Sequence, residues 1–290
     1  MIGRVLSVHS SECKVAVGEE VVSCSFRGRL RLEDAQIYAG DMVHVFRSAD
    51  SYLIERVNQR KNLLVRPPVA NVDQAIVVTA ITQPPLDLAY IDRILIQLEY
   101  EEIEGILCIN KQDLEDQNEI DRVKRIYSDA GYKCVVTSAA TGYGLDELAD
   151  LFRGKVTVFA GQSGVGKSKL ISALLGVELL TGELSQALRR GRHTTRWVSL
   201  LRTPGDGYVA DTPGFSRIDL VDVEPHELSF LYPEFREHAV LCHFPRCLHK
   251  TERRCAVLEA LDRGEIPRER HDNYLMFLEE LIERAKRKYE

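Results

Sequence analysis

The apolar run Val156–Ala160 is followed by Gly161-Gln162-Ser163-Gly164-Val165-Gly166-Lys167-Ser168, a full match to G-x-x-x-x-G-K-S. Residues of these types at this spacing hold phosphate. Glycines let backbone N–H groups turn inward around the anion, and the start of a helix adds partial positive charge. Lys167 suits the β/γ-phosphate oxygens and Ser168 suits Mg²⁺, with Lys169 completing the nucleotide-binding run. A glycine-rich turn is the bland alternative, disfavoured because the motif lies between a strand pattern and a helix pattern. Phosphate binding does not choose a base, and a second run does. The apolar residues 106–109 end in Asn110-Lys111-Gln112-Asp113. Asp113 can accept from both N1–H and N2–H₂ of guanine, whereas adenine offers a lone pair at N1 and nothing at C2. Asn110 would brace this loop, and the stem of Lys111 would cover the ring face.

The tetrapeptide is the N-K-x-D arrangement of G proteins, and two more segments agree with it. Ser138-Ala139, after the strand pattern at 134–137, resembles the loop whose backbone contacts guanine O6. Asp211-Thr212-Pro213-Gly214 resembles D-x-x-G, with Asp211 reaching Mg²⁺ through water and the Gly214 N–H meeting the γ-phosphate. Base reader, guanine loop, phosphate loop and D-x-x-G follow one another in that order, whereas G proteins usually begin with the phosphate loop. The expectation is a GTPase domain circularly permuted along the chain. An ATP-using P-loop enzyme is disfavoured by Asp113.

A different chemistry recurs near the carboxyl end. Cys242, Cys247 and Cys255 lie within fourteen positions, together with His243 and His249. Three thiolates and one imidazole make a tetrahedral Cys₃His site that matches Zn²⁺, and four protein ligands leave no open position, so the metal would be structural. Seven cysteines in a chain of 290 residues argue against a disulfide framework. Cys13, Cys24, Cys108 and Cys134 fall in strand patterns and read as small buried apolar residues.

These groups need a scaffold. An apolar fraction of 44% with 28% charged residues is that of a soluble globular protein, and no apolar run approaches the roughly 18 residues that span a bilayer. The cytosol is the expected location. Over residues 2–57, five short alternating runs predict five strands, as in a small OB-type barrel. Arg27, Arg29 and Arg31 in one of its breaks suit RNA contact, with a solvated loop as the alternative. Residues 62–69, with Pro67-Pro68, read as a linker. Between 72 and 220, buried-strand runs alternate with amphipathic helices, which predicts a largely parallel sheet carrying every motif at strand ends. From about residue 224 the chain reads as helical. The apolar face of Tyr274, Leu275, Phe277, Leu278, Leu281 and Ile282 is read as core, before the basic Lys286-Arg287-Lys288. The fold class is therefore multidomain α/β. It joins an N-terminal OB-fold β-barrel (1–62), a central permuted P-loop GTPase domain with a mostly parallel sheet (69–222) and a C-terminal α-helical zinc-binding domain (223–290).

This organisation resembles the circularly permuted, small-ribosomal-subunit-dependent GTPases of bacteria over nearly all 290 residues. The resemblance implies a GTP hydrolase stimulated by the 30S subunit, bound to 16S rRNA and acting late in subunit maturation; no membrane partner is expected, and a monomer is the expected state. It implies one structural zinc held by Cys242, Cys247, His249 and Cys255. Gly191-Arg192-His193-Thr194-Thr195 resembles the family's switch I, where one of Thr194 and Thr195 would serve Mg²⁺ and the γ-phosphate. Arg189, Arg190, Arg192, Arg196 and Arg202, with no acid between 186 and 202, suit phosphate-backbone contact despite the net charge of -6. Phe215 stands where many G proteins place the glutamine that orients water, so His193 becomes the candidate catalytic group. The same Phe215 leaves a second reading, a nucleotide-gated RNA-binding module whose hydrolysis is incidental.

Overall fold

The computed structural model describes residues 1–9, 12–26, 36–48, 51–65, 67–176, 198–211 and 219–288. Arg27, Arg29, Arg31, the 186–196 basic segment with His193, Thr194 and Thr195, and Gly214 with Phe215 lie outside them. The chain divides into two compact units. The first holds residues 1–76, 145–160 and 167–215; the second holds 77–144, 161–166 and 216–290.

The first unit begins with β1 (Ile2–Val8), β2 (Glu12–Val17), β3 (Glu20–Phe26), β4 (Met42–Ser48) and β5 (Ser51–Val57). Alternation puts Val5, Cys13, Val15, Cys24, Val43, Val45 and Ile54 into one core. The five strands close on themselves: β1 pairs with both β2 and β4, β3 with β2, and β5 with β4 and, in parallel, with β3. The pairing of β1 with β2 carries a register shift between Val5 and Ser7, a local bulge in the barrel wall. This is the five-stranded barrel expected from the alternating runs. The proline-bearing segment read as a linker is instead a hairpin, β6 (Leu63–Val65) against β7 (Pro68–Ala70). Proline forbids helix but tolerates an edge strand, and Leu64 and Val69 are buried, which holds the short pair in place. Gly40, at φ +95, is required there because a Cβ would sit 2.0 Å from the Ala70 carbonyl oxygen.

The same unit carries part of the α/β layer. Next come β8 (Gln74–Thr79), α1 (Leu88–Tyr100), β9 (Glu104–Ile109), α2 (Gln117–Asp129), β10 (Lys133–Val136), α3 (Leu145–Asp150), β11 (Val156–Ala160), α4 (Lys167–Leu175), β12 (Ser199–Arg202) and β13 (Tyr208–Asp211). Strand order in the first unit is β11-β13-β12-β1-β2-β3-β5-β4, so the α/β strands run on into the barrel through an antiparallel contact of β12 with β1. In the second unit the order is β10-β9 followed by the Val77–Thr79 end of β8. β11 with β13 and β10 with β9 are parallel, while β12 is antiparallel to β13. Every residue of β8 and β11 is buried, the mostly apolar runs of strands covered on both faces, with Gln74, Thr79 and Thr157 as the polar exceptions. Cys13, Cys24 and Cys108 are buried as expected, whereas Cys134, on the edge strand β10, is only half-buried.

The second unit ends in helices: α5 (Pro233–Ala239), α6 (Ala256–Asp262) and α7 (Arg268–Lys288). Tyr274, Phe277, Leu278 and Leu281 of α7 pack with Phe235, Val257 and Tyr232, so the apolar stripe is core. Among the described residues, no helix is long and apolar enough to cross a membrane.

Candidate nucleotide and metal sites

The phosphate loop occupies the turn from β11 into α4, as the strand–loop–helix reading requires. Its glycines are demanded by backbone and by space. At Gly161 φ is +134 and a Cβ would meet the Val78 carbonyl oxygen at 2.1 Å; at Gly166 φ is +101 and a Cβ would lie 2.5 Å from Asn110 Nδ2. Gln162, Ser163, Gly164 and Ser168 are at least partly exposed around the loop, Val165 is buried, and Lys169 points to solvent on the first turn of α4. Burial pushes the Lys167 ammonium down to about 8, a position that favours arrival of an anion beside it.

The loop at 110–113, expected to read the base, leaves the end of β9. Lys111 takes a left-handed conformation (φ +68), and Gln112 and Asp113 begin a single 3₁₀ turn, with Asp113 exposed. Ser138 Oγ donates to Asp113 Oδ1 at 2.5 Å, which leaves the other carboxylate oxygen to be met from solvent. Lys111 Nζ donates to the Gln83 carbonyl at 2.6 Å. Asn110 is the centre of the arrangement and is 1% exposed. Its Nδ2 donates to the Val165 carbonyl in the phosphate loop (2.8 Å); its Oδ1 accepts from Thr137 Oγ1 (3.1 Å) and from the Ala139 N–H (3.3 Å) in the 138–139 loop. One buried amide therefore joins all three loops. Sequence reasoning gave Asn110 a bracing role within its own loop; the cross-links to Val165 and Ala139 span 55 and 29 positions and have no local signal. Asp211 ends β13, and its backbone faces Ser199 of β12 in the ladder.

Cys242, Cys247, His249 and Cys255 come together, their ligand atoms all within 4.8 Å of one another. Cys242 Sγ lies 3.8 Å from Cys255 Sγ and 3.6 Å from His249 Nδ1, which is 3.3 Å from Cys255 Sγ. His243, the other histidine of the segment, is exposed and stacks edge-on against Phe244. Burial pushes the Cys255 thiol up to about 12 and the His249 imidazole down to about 4, so the pocket disfavours separated charge and suits thiolates only with a cation among them. The supporting residues were missed in the sequence. The Glu252 carboxylate accepts from the N–H groups of Leu248, Lys250 and Thr251, and His271 Nε2 and Tyr274 Oη reach the carbonyls of His249 and Leu248. Glu252 fixes the turn that places His249 at φ +53; its only signal was an acid within a loop of ligand residues.

With this geometry in view, comparison with known proteins is direct. A family model described as RsgA GTPase matches residues 57–221. The chain is 45% identical over 98% of its length to the small ribosomal subunit biogenesis GTPase RsgA of Thermotoga neapolitana, covering 98% of that protein. It is 42% identical to the protein of the same name from Caldanaerobacter subterraneus, with 99% and 98% covered. Among solved structures, YjeQ from Thermotoga maritima superposes with a TM-score of 0.84 at 39% identity, over 97% of this chain and 98% of that one. YloQ, described as a circularly permuted GTPase, superposes with a TM-score of 0.83 at 35% identity, over 98% and 95%. Motif order, loop geometry and full-length similarity agree, and the chain belongs to the RsgA GTPase family.

Proposed function

We propose that this protein binds and hydrolyses GTP, and that it acts in the cytoplasm as a late maturation factor of the small ribosomal subunit, stimulated by the 30S particle and in contact with 16S rRNA. The observation that carries this reading is the Asn110 junction. A guanine-selective loop and a phosphate loop are held in one register by a single buried side chain, an arrangement that serves a guanine nucleotide and little else.

In this reading Asp113 selects guanine, Ser138 orients its carboxylate and the Ala139 backbone faces the base. The Lys111 stem covers the ring, Gln112 belongs to the same nucleotide-binding loop, and the backbone of residues 161–166 wraps the phosphates. Lys167 neutralises the β/γ oxygens. Ser168, Asp211 through water, and a threonine at 194 or 195 would hold Mg²⁺, which supplies charge neutralisation on the β and γ oxygens. His193 would orient the attacking water, because Phe215 cannot hydrogen-bond one. The N–H of Gly214 would meet the γ-phosphate. The functional partition assigned to the chain is a barrel at 1–62 for RNA, a GTPase domain at 69–222 and a metal-stapled helical domain at 223–290, working as a monomer. For the metal, Zn–S bonds of about 2.3 Å in a tetrahedron put neighbouring sulfurs about 3.8 Å apart, which the Cys242–Cys255 separation of 3.8 Å fits. Cys242, Cys247, His249 and Cys255 would hold one zinc, which supplies a covalent cross-link of the loop and no catalysis.

Base selection is the cheapest test. Asp113→Asn is expected to lose GTP and gain xanthosine triphosphate, because the carboxamide presents a donor where N2–H₂ of guanine also donates. Retained GTP preference would remove Asp113 from the reading. His193→Ala is expected to keep GTP affinity and lose subunit-stimulated turnover; unchanged turnover would end its catalytic assignment.

A further inference from the structure

A buried polar cluster in the second unit lies outside everything assigned above. Asp92, one turn into α1, is fully buried. Its Oδ1 accepts from Arg270 Nη1 (2.6 Å) and Tyr127 Oη (2.9 Å), and its Oδ2 from Asn273 Nδ2 (2.6 Å). Arg270, 1% exposed, also donates to Glu234 of α5 through Nε and Nη2 at 2.7 and 3.1 Å, with its guanidinium over the rings of Tyr127, Tyr132 and Tyr232. Two carboxylates share one guanidinium, so the cluster depends on neutral donors to match its remaining oxygens. Asn273 is one of these donors, and it also lines an open space. That space is a cavity of about 730 Å³ shared by Leu86, Asp87 and Leu88 at the start of α1, by Gln162 and Ser163 of the phosphate loop, and by Asn273 of α7.

We propose that Asn273 is a positioning residue for the nucleotide site. It makes the C-terminal helix a wall of the phosphate-loop cavity and fastens that wall to α1 through Asp92, so that nucleotide occupancy and the docking of α7 are thermodynamically linked. The same amide lines the cavity beside Gln162 and Ser163 and spends its Nδ2 on a buried carboxylate, which fixes the orientation of the carboxamide. Asp87 reinforces the corner by capping α1, accepting from the Tyr90 N–H at 2.9 Å. Any shift of the cavity wall on nucleotide binding is then felt at Asp92, and linkage requires the converse. The zinc-bearing end of the chain would thus report on the nucleotide through packing that does not include the switch segments.

This inference rests on the guanine-nucleotide reading, and its test separates the two. Amide hydrogen exchange across 268–278 of the full-length wild-type protein is compared without nucleotide, with GDP and with a non-hydrolysable GTP analogue, alongside affinities for both. Protection of that segment is expected to rise on nucleotide binding. Asn273→Ala is expected to weaken nucleotide affinity about fivefold, the scale of one buried hydrogen bond, and to abolish the nucleotide-dependent protection while zinc content stays at one. The control is Arg93→Gln. Arg93 bonds Glu280 across the same two helices, at 2.7 Å, but does not line the cavity. Loosening α1 from α7 there should leave nucleotide affinity unchanged. If Arg93→Gln weakens binding as much as Asn273→Ala, the role of Asn273 is merely structural and the proposal falls. It falls equally if wild-type protein binds nucleotide with no change in exchange at α7. If wild-type protein binds no guanine nucleotide, the underlying functional reading fails first.

Discussion

Removing the Asn110 side chain probes the junction on which the proposed nucleotide site rests. Asn110→Ala deletes the donor to the Val165 carbonyl and the acceptor for Thr137 Oγ1 and the Ala139 N–H, all at a residue 1% exposed. At that exposure the position is closed to bulk solvent. At about 1 kcal/mol net per bond, the three together amount to about 3 kcal/mol. These bonds join the loops that must be in register before a nucleotide can touch base and phosphates together. The loss should therefore appear in affinity, roughly a hundredfold for GTP and GDP alike. A fluorescent guanine-nucleotide titration reads this directly, with circular dichroism confirming that the fold is retained. Asn110→Asp sharpens the test, because it preserves volume and both acceptor contacts but faces the Val165 carbonyl with a second oxygen. Its defect should equal or exceed that of alanine. Affinities within about threefold of wild type for both variants would refute the claim that Asn110 holds the loops in register.

Further outcomes follow from the same geometry. Burial holds Lys167 down at about 8 in the folded protein against 10.5 for a free lysine side chain. Between those values the unfolded chain retains a proton that the folded chain has lost, so this group's contribution to unfolding free energy rises with pH across that window. Nucleotide binding has the opposite sense: phosphate needs the ammonium, binding takes up a proton above about pH 8, and GTP affinity should fall there by at most about tenfold per pH unit. A profile that stays flat to pH 9.5 would contradict the assigned role of Lys167. Cys255→Ser should release the zinc, measured by native mass spectrometry, and lower the melting temperature, because Cys255 also caps the start of α6, whose Val257, Ala260 and Leu261 enter the C-terminal core. Retention of one zinc per chain would show that the ligand set is wrong.

What the sequence disclosed was chemistry carried by short contiguous runs. Residues 161–168 and 110–113, the alternation that gives β1 to β5, and the spacing of Cys242, Cys247, His249 and Cys255 are all local patterns with one dominant physical meaning. The hidden features are those that depend on distant partners. Asp92 reads as an ordinary polar residue in an amphipathic helix, and nothing near it signals Arg270, 178 positions away. The β6–β7 pair was obscured because proline chemistry excludes helix without distinguishing a coil from a short edge strand. The register of β12 against β1, which carries the α/β strands on into the barrel, depends on a pairing between Ser7 and Ser199 that periodicity does not encode.

The central claim is that a guanine-specific site, built on Asn110 and the phosphate loop, runs GTP hydrolysis in the service of the small ribosomal subunit. GTP turnover by the full-length protein, measured with and without purified small subunits, tests it most directly. The account predicts slow turnover by the protein alone and a strong increase with subunits that Asp113→Asn abolishes. Equal turnover in the two conditions, with GTP demonstrably bound, would contradict it.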